Sequence, residues 1–157
     1  MTNPIGKSHW ILAVAFCLVV LTGNPPLVLG AKKVSPAYGP YPATLVRVID
    51  GDTVVLDVAL WPGLVQRIHL RLEGVNTPEK RGKSITACEK AAAARASAFT
   101  TRVLRKARTI SISGIRLGKY AGRVLGHLMA DGQDLGRALI AAGLARPYAG
   151  GKRAAWC

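Results

Sequence analysis

Leu45-Val46-Arg47-Val48-Ile49-Asp50-Gly51-Asp52-Thr53-Val54-Val55-Leu56-Asp57-Val58 is a pair of β-branched runs on either side of an Asp-Gly turn. That is a strong short-range signature of a β-hairpin. Downstream, Arg67 to Glu73 alternates, with Ile68, Leu70 and Leu72 on one face and Arg67, His69, Arg71 and Glu73 on the other. A strand buried on one side only is predicted, with Arg71 pointing away from the core. Thr86-Ala87-Cys88-Glu89 has capping-box spacing, and the Ala-rich stretch after it reaches about Leu104 without Gly or Pro, so a helix follows. Thr109 to Ser113 and Arg123 to Met129 predict two further strands, the second closed by the turn Ala130-Asp131-Gly132. Asp134 is placed to cap a short helix, Leu135 to Ala142, that Gly143 would terminate. Three strands, a helix, two strands and a helix is the order of an OB-fold. The expected class is α+β, mainly β: a five-stranded OB-fold barrel with two to three helices.

The composition narrows the partners. Lys and Arg number 22 against 8 Asp and Glu, a formal net charge of +14 over 157 residues. Such a chain is drawn to polyanions by steering and counterion release, and a nucleic acid is the simplest of them. Anionic lipid, or a charge that serves only to prevent aggregation, are the plainer alternatives. The length suits one small domain with one core.

Residues 1–31 are expected to be a signal peptide. Lys7 precedes the uncharged run Trp10 to Leu21, and the small residues Gly30 and Ala31 follow, near the expected cleavage point. The alternative is a permanent membrane anchor, but Gly23-Asn24-Pro25-Pro26 interrupts the run before it reaches the roughly 20 residues a bilayer requires. Residues 32–42, with three prolines, read as a basic linker. The domain itself is expected over 43–148, with a tail over 149–157. Export places the protein in the periplasm or outside the cell, where the two remaining cysteines, Cys88 and Cys157, would form one disulfide. Closing a loop of about 70 residues stabilises by roughly 4 kcal/mol in the chain-entropy model. Two unrelated thiols remain the alternative, and a metal held by two cysteines with no nearby histidine is a poor third.

The chemistry lies in two acid-bearing turns. Asp50-Gly51-Asp52-Thr53 and, about twenty residues on, Arg71-Leu72-Glu73-Gly74-Val75-Asn76-Thr77-Pro78-Glu79 could gather a hard cation, a water-activating carboxylate and a phosphate clamp. Asp50 reads as a turn former. With Lys119-Tyr120-Ala121-Gly122-Arg123, Asp131-Gly132 and Gly143-Leu144-Ala145, these motifs in order resemble the thermonuclease family, the staphylococcal-nuclease-like domains, over about Ala43 to Tyr148.

The resemblance implies a calcium-dependent phosphodiesterase that cuts DNA and RNA and leaves 3′-phosphate ends. Asp52 matches the main metal carboxylate and Asn76 the second metal ligand, while Thr77 would offer its carbonyl. Glu79 matches the residue that orients or activates water. Arg71 and Arg123 match the two phosphate-binding arginines, and Lys119 and Tyr120 match positions that contact the terminal nucleotide. Physically, charge developing on a phosphoryl group calls for a cation and guanidinium forks. Oxygen-only ligands suit Ca2+. The expected partners are DNA and RNA, acted on by a monomer with no stable protein partner, and membrane contact arises only through an uncleaved leader. His69 and His127, lone histidines on strands, are given no role.

Two departures stand out. The position of Asn76 is usually Asp in the family, so the site has one negative charge fewer. Gly118 stands where an acid is common, and Ala121 lengthens the turn before Gly122-Arg123. The rival reading is an exported, non-catalytic nucleic-acid-binding module with a weakened metal site. A third is a membrane-surface protein anchored by its leader.

Overall fold

The hairpin forms where the β-branched runs place it. In the computed structural model, which describes residues 38–82, 84–119 and 122–157, β1 (Tyr41–Asp50) pairs antiparallel with β2 (Thr53–Trp61) and Asp50 lies opposite Thr53. The leader, most of the linker and Tyr120 lie outside the described residues. β1 starts before the expected Ala43: Tyr41 and Pro42 pair with Ile112 and Ser111. A proline fits there because it lies near the strand's beginning, where a missing N–H disturbs little of the ladder.

β2 continues into β3 (Leu64–Leu72), again antiparallel. After a two-residue β4 (Val75–Asn76) and a loop comes α1 (Ala87–Lys106), then β5 (Ile110–Leu117), β6 (Arg123–Ala130), β7 (Gln133–Asp134), α2 (Leu135–Ala141) and β8 (Arg146–Pro147). The sheet runs β3-β2-β1-β5-β6-β7, and β6 returns to pair in parallel with β3, His69 opposite Arg123 and Leu72 opposite Gly126. That pairing closes five strands into a barrel, the OB-fold arrangement. Its interior holds Val54, Leu56, Val58, Leu70, Leu72, Ile112 and Leu128, with Leu104, Leu135 and Leu139 from the two helices packed on it.

Both helices begin at the expected caps. Thr86 accepts from the Glu89 backbone N–H at 3.1 Å, and the Asp134 carboxylate from Arg137 N–H at 2.8 Å. Only half of the capping box forms at α1, because the Glu89 carboxylate reaches away to accept the N–H of Glu79. Up to Thr100 the buried stripe of α1 is made of small side chains, Ala93, Ala96, Ser97 and Thr100, which lets the β1–β2 turn approach closely. Thr100 Oγ1 donates to the Gly51 carbonyl at 2.7 Å. A Cβ on Gly51 would lie 2.7 Å from Ala96 Cβ and 2.8 Å from Thr77 Cγ2, so only glycine fits. The turn bearing Asp52 is thereby pinned between α1 and the loop after β4.

The tail is tied down as well. A disulfide joins Cys157 to Cys88 in the first turn of α1, across a sequence separation of 69. β8 pairs with β4, Asn76 opposite Arg146. This small second sheet has no periodic signature in the sequence. Its strands are two residues long, too short for alternation to register.

Candidate active site

Asp52 is the centre of a buried polar cluster. Its side chain is 2 % exposed, and Oδ1 accepts from Arg71 Nη1 at 2.6 Å and from Thr53 Oγ1 at 3.0 Å. Oδ2 accepts the Thr77 backbone N–H at 2.9 Å. Asp50 uses its carboxylate to accept the Asp52 N–H, the part expected of a turn former. Pairing in β2 and β3 sets Thr53 opposite Arg71, which delivers the guanidinium to the turn. Arg71 does point away from the barrel interior, as its alternation predicts, yet it is covered rather than solvated, with 11 % of its side chain exposed. Its second nitrogen, Nη2, donates to Asn76 Oδ1 at 3.3 Å. Asn76 is in turn fixed by the β4–β8 pairing.

Two side-chain oxygens from separate turns, Asp52 Oδ1 and Asn76 Oδ1, thus converge on one cationic head. Burial pushes the Asp52 carboxyl up to about 6, and the neighbouring Asp50 charge adds to the push. Arg71 and the Thr77 N–H pull the other way. The Asp52 and Asn76 side-chain oxygens already face one positive charge, and that oxygen-only chemistry fits a hard cation, for which the Thr77 carbonyl would be a further ligand. Among the described residues, no group of three or more His, Cys, Asp or Glu side chains could hold a metal. The set therefore depends on an amide and a backbone oxygen beside one carboxylate.

Next to this cluster opens a cleft of about 480 Å³, lined by Asp50, His69, Arg71, Glu79, Arg123 and Arg153 among others. The parallel pairing of β3 with β6 explains why two of its arginines are neighbours. Arg71 lies opposite Leu125 and His69 opposite Arg123, so Arg71 and Arg123 stand on the same outer face, one pleat apart. Glu79 enters from the loop after β4. Its backbone N–H is held by Glu89, the adjacent Lys80 ammonium donates to the Ile49 carbonyl at 2.9 Å, and its carboxylate accepts from Arg153 Nη1.

Lys119 is exposed and lines a second cavity, of about 530 Å³, with Arg71, Arg116, Leu125 and Tyr148. Arg71 is common to both cavities. The expected partner of Lys119, Tyr120, is outside the described residues. Gly118 has a local reason: its N–H donates to the Arg123 carbonyl at 2.9 Å, and a Cβ there would lie 2.9 Å from that same oxygen. An acid would not fit without a shift of the turn. His69 and His127 are both exposed, and His127 Nδ1 lies 3.6 Å from the helix-capping Asp134.

Three contributors escaped the sequence reading. Tyr148 reaches the second cavity because its N–H bonds the Gly74 carbonyl at 2.9 Å. Arg116 pairs with Glu73 at 2.5 Å. Arg153 enters the Glu79 cleft from the tail, and the signal that could have found it was the expected Cys88–Cys157 bridge, which brings the tail back to the first turn of α1. In comparison with known protein families, the model described as staphylococcal nuclease homologue matches residues 69–155, more than half of the chain. The match takes in the end of β3 from His69, the Asn76-to-Glu79 loop, both helices and Arg153, and the Asp52 turn is joined to it by the contacts above.

Proposed function

The chain belongs to the staphylococcal nuclease homologue family, and from that footing we propose that it is a calcium-dependent phosphodiesterase that cuts DNA and RNA and leaves 3′-phosphate ends. The observation that carries the proposal is the adjacency of the Asp52–Arg71–Asn76 cluster to a cleft holding both Glu79 and Arg123. A module that only binds has little use for a carboxylate beside its phosphate site.

Arg71 and Arg123, on the outer face of β3 and β6, would together bind one phosphodiester through their guanidinium groups. Charge grows on the non-bridging oxygens during displacement, and two fixed cations stabilise it without reorganisation. Glu79 would hold the attacking water and take its proton. Asp52, Asn76 and the Thr77 carbonyl would hold calcium, which when bound would add positive charge against the same phosphate. Lys119 and Tyr148, across Arg71, offer a cation and an aromatic face to the neighbouring nucleotide. Tyr120 is assigned to that same contact. The net charge of +14 supports a polyanionic substrate, and the disulfide supports export to an oxidising compartment.

Asn76 favours the second reading, a nucleic-acid-binding module without turnover, because it removes one carboxylate from the ion's ligands. Incubating the purified protein with plasmid DNA and with an RNA oligonucleotide separates the two. The enzyme gives fragments with 3′-phosphate ends in calcium and none in chelator. Retardation of both nucleic acids with no fragments at any calcium concentration would leave the binding module.

A further inference from the structure

The C-terminal tail folds back through a chain of specific contacts. Tyr148 Oη donates to the Gly151 carbonyl at 2.8 Å, Arg146 Nη1 to the Ala155 carbonyl at 2.9 Å, and the Arg146 guanidinium lies 4.2 Å from the centre of the Trp156 ring. Cys157 then closes on Cys88, one residue before Glu89. Glu89 is the residue whose carboxylate accepts the Glu79 N–H. Between these fixed points Arg153 extends over the Tyr148 ring, with its carbon centre 5.9 Å from the ring's, and donates to the Glu79 carboxylate. It lines the cleft with Arg71 and Arg123.

We infer that Arg153 is a positioning residue for Glu79, put in place by the Cys88–Cys157 disulfide, so that full activity requires the oxidised tail. The inference rests on the phosphodiesterase reading. The loop is anchored at Thr77, Glu79 and Lys80, but a Glu79 carboxylate flanked by Lys80 and Arg81 still has several rotamers open to it, and an ion pair with a tethered arginine selects one. The tether supplies what a nine-residue tail alone lacks: with its end bound to α1, Arg153 meets Glu79 at high effective concentration. The cleft also gains a third arginine.

The test is steady-state cleavage of a single-stranded DNA oligonucleotide in calcium by wild type, Arg153→Ala, Arg153→Lys, Cys157→Ser, Glu79→Gln and the double variant Arg153→Ala/Glu79→Gln. Loss of positioning should act on kcat, lowering it about tenfold in Arg153→Ala with KM little changed, since misplacing a catalytic group is felt in the chemical step. Arg153→Lys should recover part of the loss. Cys157→Ser should repeat the Arg153→Ala defect, and Arg153→Ala should cost nothing further in the Glu79→Gln background, because it acts through that carboxylate. A wild-type kcat in Arg153→Ala, a loss confined to KM, or a full additional loss in the double variant would each overturn the inference while leaving the nuclease reading intact. Wild-type protein that cuts nothing would instead remove that reading and this inference with it. Arg153→Ala keeps the disulfide and so tests the Glu79 pairing by itself; the disulfide's part is tested by Cys157→Ser and by wild type treated with dithiothreitol, and a wild-type kcat in either would overturn it.

Discussion

Replacing Asn76 by Asp should reduce the calcium concentration needed for half-maximal cleavage. Asn76 Oδ1 lies 3.3 Å from the same guanidinium whose other nitrogen is 2.6 Å from Asp52 Oδ1, so a carboxylate at 76 would face the ion together with Asp52. One added unit charge at about 4 Å is worth on the order of 4 kcal/mol against a monovalent charge at an effective dielectric near 20. Two effects oppose it. Position 76 is 5 % exposed, so the new charge must be desolvated, and in the absence of metal it repels Asp52. A net gain of about 1 to 3 kcal/mol remains, a drop of about five- to 150-fold in the half-saturating calcium concentration. The assay is a calcium titration of cleavage for both forms at one ionic strength, because salt also controls substrate binding. A parallel readout is free of turnover: the melting temperature of Asn76→Asp should fall below wild type in chelator and rise relative to it as calcium is added. An unchanged or higher calcium requirement, with melting curves that do not diverge, would refute the idea that Asn76 faces the ion.

Burial raises the folded-state value for Asp52 from 3.8 to about 6, so the folded protein holds this proton more tightly than the unfolded chain. The group's contribution to metal-free stability is therefore present below about pH 4 and lost as pH rises through about 6. The melting temperature of Asp52→Asn relative to wild type, measured in chelator, should accordingly climb between pH 4 and pH 6.5, and a flat difference would contradict the burial argument. Calcium competes with the same proton, so its half-saturating concentration should rise steeply below pH 6, checked by calcium titrations at several pH values. Glu79→Gln should cost at least about a hundredfold in kcat with an unaltered circular dichroism spectrum, the scale of a lost positioned base, and wild-type turnover would remove it from the mechanism. Gly51→Ala should destabilise by about 1 to 3 kcal/mol in a urea titration, because its Cβ would press on Ala96 and on the branched carbon of Thr77, which cannot swing aside.

The elements that the sequence alone determined are those whose cause is local. The β1–β2 hairpin follows from β-branched runs around Asp50-Gly51, both helices from the caps Thr86 and Asp134, and the outward side of Arg71 from period-two alternation; in each case the deciding residues lie within a few positions of one another. The ordered motifs, though spread along the chain, marked Asp52, Asn76, Glu79 and Arg123 as candidates. Tertiary structure decided what those residues touch. The parallel β3–β6 pairing sets Arg123 beside Arg71 across some fifty residues of intervening chain, and nothing in either strand's periodicity names its partner. Alternation put Arg71 on the outer face but could not show that the Asp52 turn covers it there, because period two separates core from non-core and names no neighbour. Glu89 read as half of a capping box, yet its carboxylate went to the Glu79 loop, since a long side chain on an exposed first turn takes the donor that packing brings to it. Arg153 was the least legible, because its position depends on a disulfide, a stacked tryptophan and a return bend acting together, none of them a property of the residues beside it.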